Sequence, residues 1–285
     1  MPVEPPVVSP TSLGEAFAIL DSAPHRPVAG GTDLLVQLTG ELGEPPERVV
    51  DIWRLDELRG MRVESNALVI GALTTYSELR RSPLVAELLP TFAEAAATIG
   101  AAQIQNRGTI GGNAANASPA GDMLPLLLAC DAQLVVGSAG GERRVAAREF
   151  WPEYRRTALA PNELLLRISV PLVADRQVRF RKVGTRRAQA ISKVVMALAW
   201  RTEDGAGGWR DVRLALGSVA ATPIRAAGTE AVLEGAEPVE KTADRAASTL
   251  ASELNPIDDV RSSADYRRAV AARVLHRLLR EAGGW

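Results

Sequence analysis

Two stretches of the sequence share one construction, and together they narrow the architectures open to the chain. "VAGGTDL" (residues 28–34) and "RGTIGGNAANASPAGDMLP" (residues 107–125) each set a glycine pair beside a threonine, between apolar segments. The first reads as a strand ending in a glycine turn and then a short helix, with Thr32 or Asp33 at the N-cap. "ALVIGALTTYSELRRSP" repeats that order: strand, a Thr74–Thr75 cap, helix, and a stop at Pro83. The second stretch is too polar for a core and too rich in glycine for a stable helix, so it is predicted as a shaped loop. A helix is predicted after it, with Ser118 at the N-cap and Pro119 in the first turn. "LPTFAEAAATIGAAQI" reads as one alanine-rich helix, and "AQLVVGSA" and "ELLLRISVP" as strands.

The pattern changes after about residue 175. "QVRFRKVG", "SKVVMALAWRT" and "WRDVRLALGSVA" read as three strands, the last two joined by the turn "EDGAGG". Helical segments follow, and in the last of them Tyr266, Val270, Val274 and Leu278 recur every four residues, a stripe expected to pack on the three-stranded sheet. The boundary is placed in "PLVADRQ", giving units 1–175 and 176–285.

Composition removes several function classes. A chain of 285 residues that is 46% hydrophobic has room for two cored domains. A net charge of −1 gives no basic excess for nucleic acid or an anionic membrane. The apolar runs are too short and interrupted for membrane insertion, and "MPVEPPVVSP" lacks a signal-peptide pattern, so a cytoplasmic protein is expected. Cys130 is the only cysteine, so no disulfide, thiolate metal cage or iron–sulfur cluster can be built from this chain alone, and its apolar setting suits an inert thiol. With His25 and His276 the only histidines, a His-dependent triad or two-His metal site is disfavoured.

The glycine loops themselves admit two readings. They can be plain turns. Alternatively, paired glycines let backbone approach a ligand, and successive N–H groups form a concave anion site. Two such loops face to face can hold the two phosphates of a dinucleotide. Thr32, Thr109, Ser118, Asn113 and Asn116 then add uncharged donors. Neither loop is a P-loop or a G-x-G-x-x-G fingerprint. A carboxylate is repelled by a diphosphate, so Asp122 suits a sugar hydroxyl and Asp33 suits helix capping.

Taken together, "VAGGTDL", "IGALTTYSEL", "RGTIGGNAANASPAGDMLPLLLACDAQL", "ELLLRISVP" and "FRKVGTRRAQAISKV" resemble the FAD-binding medium subunits of molybdenum hydroxylases, the xanthine dehydrogenase and carbon monoxide dehydrogenase family. The resemblance runs in order through nearly the whole chain. It implies an α+β fold: a vanillyl-alcohol-oxidase-type FAD-binding unit of two α+β subdomains, then a C-terminal α+β domain. It assigns Val28, Ala29, Gly30, Gly31, Thr32 and Asp33 to one side of the FAD diphosphate. Thr109, Ile110, Gly111, Gly112 and Asn113 are assigned to the other. Asp122 matches an aspartate on the sugar portion, Ile99 and Leu165 match apolar positions beside the flavin region, and Lys182 matches a lysine near the cofactor. Lysine is rare here: of 33 Lys and Arg residues only Lys182, Lys193 and Lys241 are lysines, and a cation at the flavin N1–C2=O edge stabilises the reduced anion. Tyr76 is the aromatic of most interest near the flavin.

The function implied is electron transfer through FAD, from iron–sulfur clusters of a partner subunit to NAD or another acceptor. Molybdopterin and 2Fe–2S clusters belong, on this resemblance, to a large and a small partner subunit in a dimer of heterotrimers. The cysteine-bearing insertion of hydroxybenzoyl-CoA reductase medium subunits is absent from the sequence. A stand-alone FAD-dependent oxidase or reductase is the alternative, and it needs an acid or base over the flavin that no residue of clear position supplies. A scaffold with an empty pocket is the third reading.

Overall fold

The β-branched runs pair into three sheets. The computed structural model describes residues 5–40, 44–186, 188–202 and 208–285, so the expected turn at 203–208 lies almost wholly outside the described residues. In the first sheet, Val49–Asp51 is central, with Val7–Val8 and Arg26–Val28 parallel on either side. Parallel neighbours need a crossover. The helix Leu13–Ser22 links the two outer strands, capped by Ser12 and burying Ala16 and Leu20 against Val50 and Ile52, and the helix Leu34–Thr39 lies in the connection from Arg26–Val28 to Val49–Asp51.

The second sheet is antiparallel, in the order Met61–Glu64, Ala67–Gly71, Leu164–Pro171, Gln133–Ser138, Gly141–Ala146. A register shift lies opposite Leu166, where Val135 pairs with Arg167 and Val136 with Leu165. Such a bulge reverses which side chains face which way. Leu165 therefore joins Ile168 and Val170 in the main core, while Leu164 and Leu166 cross to the core of the first sheet. One irregular residue thus ties the two subdomains together.

The C-terminal sheet has four strands, not the three expected: Gln177–Val183, Val194–Thr202, Trp209–Gly217 and the short Ile224–Arg225. Two residues carry too little period-2 signal for the last to be read from sequence. Strand alternation sends Met196, Leu198 and Trp200 toward the C-terminal helices, and Val195, Ala197 and Ala199 toward the first half of the chain. Both faces of this strand are buried, so the two halves share a core.

Three other expectations are corrected. The alanine-rich segment is two helices, Pro90–Ala97 and Ala102–Arg107. The break is stabilised by buried Gln105, whose amide donates to the carbonyls of Ala97 (3.3 Å) and Ile99 (2.9 Å). Ser118 caps no helix: it accepts from Ala120 N, and the helix is Leu124–Ala129 with Pro125 in its first turn. In the final helix, Ala264–Gly283, Val270, Val274 and Leu278 pack on the C-terminal core as expected, but Tyr266 is exposed and the fully buried positions include Arg267, Ala271, Leu275 and Leu279. Arg267 can be buried because it donates to the Lys193 and Ser218 carbonyls (2.9 Å each) and to Asp259 (2.8 Å). Apolar periodicity alone cannot register an arginine buried through such long-range bonds.

No helix among the described residues is long and apolar enough to cross a membrane. Cys130 is buried, and burial pushes its thiol up to about 12. The thiolate is the reactive form. A colorimetric thiol assay is therefore expected to find no reaction in the native chain near neutral pH and one equivalent after denaturation.

Candidate functional site

The strand Arg26–Val28 delivers the loop Ala29–Asp33, which turns into the helix Leu34–Thr39. Gly30 lies so close to the neighbouring chain that a Cβ there would sit 1.8 Å from the Arg107 carbonyl oxygen, and Gly31 has φ +76°. Both positions exclude ordinary side chains. The backbone N–H groups of Ala29, Gly30, Gly31, Thr32 and Asp33 donate to no acceptor among the described residues. Five consecutive unpartnered donors in a part-buried loop are uncommon.

The second glycine stretch is built differently from its expected form. Residues Ile110–Asn116 are helical, started by Thr109, whose hydroxyl accepts from Gly112 N (3.0 Å). Ile110 N donates to Thr74 O, Gly111 N to Ala72 O and Asn113 N to Thr109 O. Those four amides are committed to the protein, so this segment is no second amide cradle. Its glycines serve packing: a Cβ on Gly111 would meet the Ala72 carbonyl at 2.5 Å. A β-bridge between Thr75 and Thr109 fixes the two helix starts side by side. What the segment offers a ligand is side chains such as Asn113, whose Oδ1 atom is itself sealed from open space without a partner.

The two stretches converge. Arg107 Nε donates to Gly30 O (3.4 Å), and Asn116 Nδ2 donates to Asp33 Oδ1 (3.0 Å). Asp33 stands at the N-cap position, yet its carboxylate caps nothing and turns to Asn116 instead. Burial holds this carboxyl above its usual range, with Arg155 and Arg26 pulling the other way. The Trp53 ring contacts two guanidinium groups, Arg107 at 3.9 Å and Arg59 at 4.5 Å from its centroid.

Between the two stretches is a cavity of about 320 Å³. Val28 to Asp33, Thr109, Gly111, Gly112, Asn113 and Leu165 all line it; Ile110 is fully buried and does not. Sequence reasoning missed one wall, Thr157 to Pro161, which carries no motif and leads into the strand of Leu165. It is held in place by Arg143, which donates to both carboxylate oxygens of Glu163 (2.7 and 2.6 Å) and to Ala158 O (2.7 Å).

Ile99, Asp122 and Lys182 are not among the lining residues of that cavity. They gather at the seam between the halves. Lys182 Nζ donates to Asp122 Oδ2 (2.6 Å) and to Thr98 O (3.0 Å), beside Ile99. Asp122 Oδ1 accepts from Ser192, another residue sequence reasoning missed, since the contact spans 70 positions. Burial raises the Asp122 carboxyl above its ordinary value, opposed by the Lys182 charge and by hydrogen bonds from Lys182 and Ser192. Tyr76 lies between the groups: it lines the cavity, and its phenol feels the charges of both Asp122 and Asp33.

Comparison with known proteins gives this geometry a family. Residues 2–173 match the FAD binding domain in molybdopterin dehydrogenase, and residues 179–282 match the CO dehydrogenase flavoprotein C-terminal domain. The chain belongs to this family. It is an FAD-binding medium subunit of the molybdenum hydroxylase type, and its relatives are oxidoreductase subunits. It is 35% identical over 281 residues to the carbon monoxide dehydrogenase medium chain of Hydrogenophaga pseudoflava, covering 96% of this chain and 95% of that one. It is 34% identical over 271 residues to the glyceraldehyde dehydrogenase medium chain of Sulfolobus acidocaldarius, covering 94% and 95%. The solved Hydrogenophaga pseudoflava carbon monoxide dehydrogenase superposes with a TM-score of 0.92 at 34% identity, over 97% of this chain and 96% of that one.

The residues of the site fit FAD. Donors without acceptors lie on a cavity wall, Gly30 and Gly31 let that loop pack against Arg107 and turn at positive φ, and Thr109 and Asn113 line the facing side.

Proposed function

We propose that this medium subunit carries electrons through FAD held between the Ala29–Asp33 loop and the Thr109–Asn113 segment. Bound FAD supplies the exchange between one-electron and two-electron carriers, receiving from iron–sulfur clusters of a partner subunit and giving to NAD or another acceptor. The observation that carries the reading is the run of five unpartnered amides on a cavity wall, a donor set suited to a diphosphate. Asn113 and Thr109 add contacts from the facing segment, and Leu165 adds apolar surface. Lys182, with Asp122, Ile99 and Ser192, is proposed to bound the flavin end at the seam. The domain division follows the same logic, with 1–175 as the FAD-binding unit and 176–285 as the C-terminal unit.

The chain is further proposed to work with a molybdenum-cofactor large subunit and an iron–sulfur small subunit, as a dimer of heterotrimers in the cytoplasm. Its single cysteine supports placing the clusters elsewhere. Among the described residues the hydrogen bonds of Lys182 and Asp122 at the seam involve no histidine, and His25, which lines the cavity, has its Nδ1 bonded to Ala23 O (2.8 Å). We read both against the alternative of a stand-alone oxidase with its own general base.

The full chain, expressed and purified, is expected to be yellow and to release one FAD per chain on denaturation, identified by chromatography against FMN. A colourless chain whose visible spectrum is unchanged by added FAD would overturn the reading.

A further inference from the structure

We propose that Tyr76 is a further cofactor contact, its phenol donating a hydrogen bond to the diphosphate held by the Ala29–Asp33 loop. The proposal rests on the FAD reading above and adds a residue to it. Tyr76 is only 3% exposed, yet its hydroxyl has no hydrogen-bond partner among the described residues. Buried phenols ordinarily have one. The oxygen is also absent from the set of sealed unpartnered atoms that includes Asn113 Oδ1, so it opens onto free space. That space is the cavity, which Tyr76 lines together with Gly30 to Asp33 and Gly111 to Asn113.

The ring has little freedom to turn elsewhere. Tyr76 is the first residue of the helix Tyr76–Arg81, fixed by a capping box in which Thr75 and Glu78 bond reciprocally. Its own N–H donates to Gly108 O (3.1 Å), and its ring edge lies where a Cβ on Gly108 would be 2.9 Å away. Gly108 belongs to the same turn that presses on Gly30, so the phenol and the amide loop are positioned by one piece of backbone. Neither nearby carboxylate, Asp33 nor Asp122, accepts from the phenol: Asp33 is engaged by Asn116, and Asp122 by Lys182 and Ser192. An oxyanion in the cavity is the acceptor this arrangement leaves. Burial, and then the charges of Asp122 and Asp33, hold the phenol neutral far above its ordinary range, which makes it a donor at any physiological pH.

Tyr76→Phe removes one oxygen and keeps the ring. In the full chain stripped of flavin, the variant is expected to bind FAD and ADP about tenfold more weakly than the unaltered chain. Its thermal midpoint without ligand should be unchanged. The phosphorus NMR resonances of bound FAD should move, a signature that a purely structural tyrosine would not produce. Affinities within about twofold for both ligands would overturn the proposal. So would weaker binding with unmoved phosphorus resonances, which would mark a packing role. If the unaltered chain takes up no FAD, the FAD reading itself has failed and the proposal falls with it; that outcome is read before any variant is made.

Discussion

Gly30→Val is expected to yield a folded chain that cannot retain FAD. The added Cβ would lie 1.8 Å from the Arg107 carbonyl oxygen, a backbone atom that cannot turn aside as a side chain would. Either the Ala29–Asp33 loop, which is one wall of the cavity, or the end of the helix Ala102–Arg107, against which that loop rests, must move. Displacing the loop misaims several amides together. Losing two charge-assisted hydrogen bonds costs about 3 kcal/mol, which is about a hundredfold in affinity. The fold should survive, because the loop lies outside the three buried clusters save for Ala29 at the edge of one. Flavin content per chain and far-ultraviolet circular dichroism check the two halves of this expectation. Gly111→Val tests something else. Its Cβ would meet Ala72 at 2.5 Å inside the main core, so that variant should lose stability as well as flavin.

The contrast between those glycines shows how far the site was legible in sequence. Both pairs were recognisable as places where backbone must approach something closely. Sequence could not say what it approaches. At Gly30 and Gly31 the consequence is free amides aimed at a cavity, whereas at Gly111 and Gly112 it is a helix packed on Ala72 with its amides already bonded. The difference is tertiary, since it turns on carbonyls of residues 72 and 74. The strands and caps with strong local patterns were readable in advance, as at Thr75 with Glu78 three residues on. Features set by long-range partners were not. The bulge at Leu166, the short strand Ile224–Arg225 and the buried Arg267 all follow from contacts far along the chain. Asp122 and Lys182 were each legible as unusual residues, but their pairing with each other across 60 positions was not.

That pairing carries the second large effect. Lys182→Met is expected to destabilise the chain by about 3–5 kcal/mol near neutral pH, the range for removing one partner of a buried ion pair. The side chains are 8% and 10% exposed, so water cannot replace the lost ammonium, and Ser192 alone would be left to solvate Asp122. The loss should depend on pH with a definite sign. Burial already raises the folded carboxyl above its ordinary value of 3.8, and Lys182 is the main group opposing that rise. Without Lys182 the folded value climbs further. The folded state then holds a proton that the unfolded state has released, and stability falls as pH rises through the widened window above 3.8. The variant should therefore approach the parent near pH 4 and diverge from it toward pH 8. Urea unfolding across that range measures the gap directly. Asp122→Asn in the Lys182→Met background removes the buried charge as well, and is expected to recover part of the stability and flatten the pH dependence. A gap that stays constant with pH would mean that Lys182 stabilises the seam through its bond to Thr98 O rather than through the carboxylate.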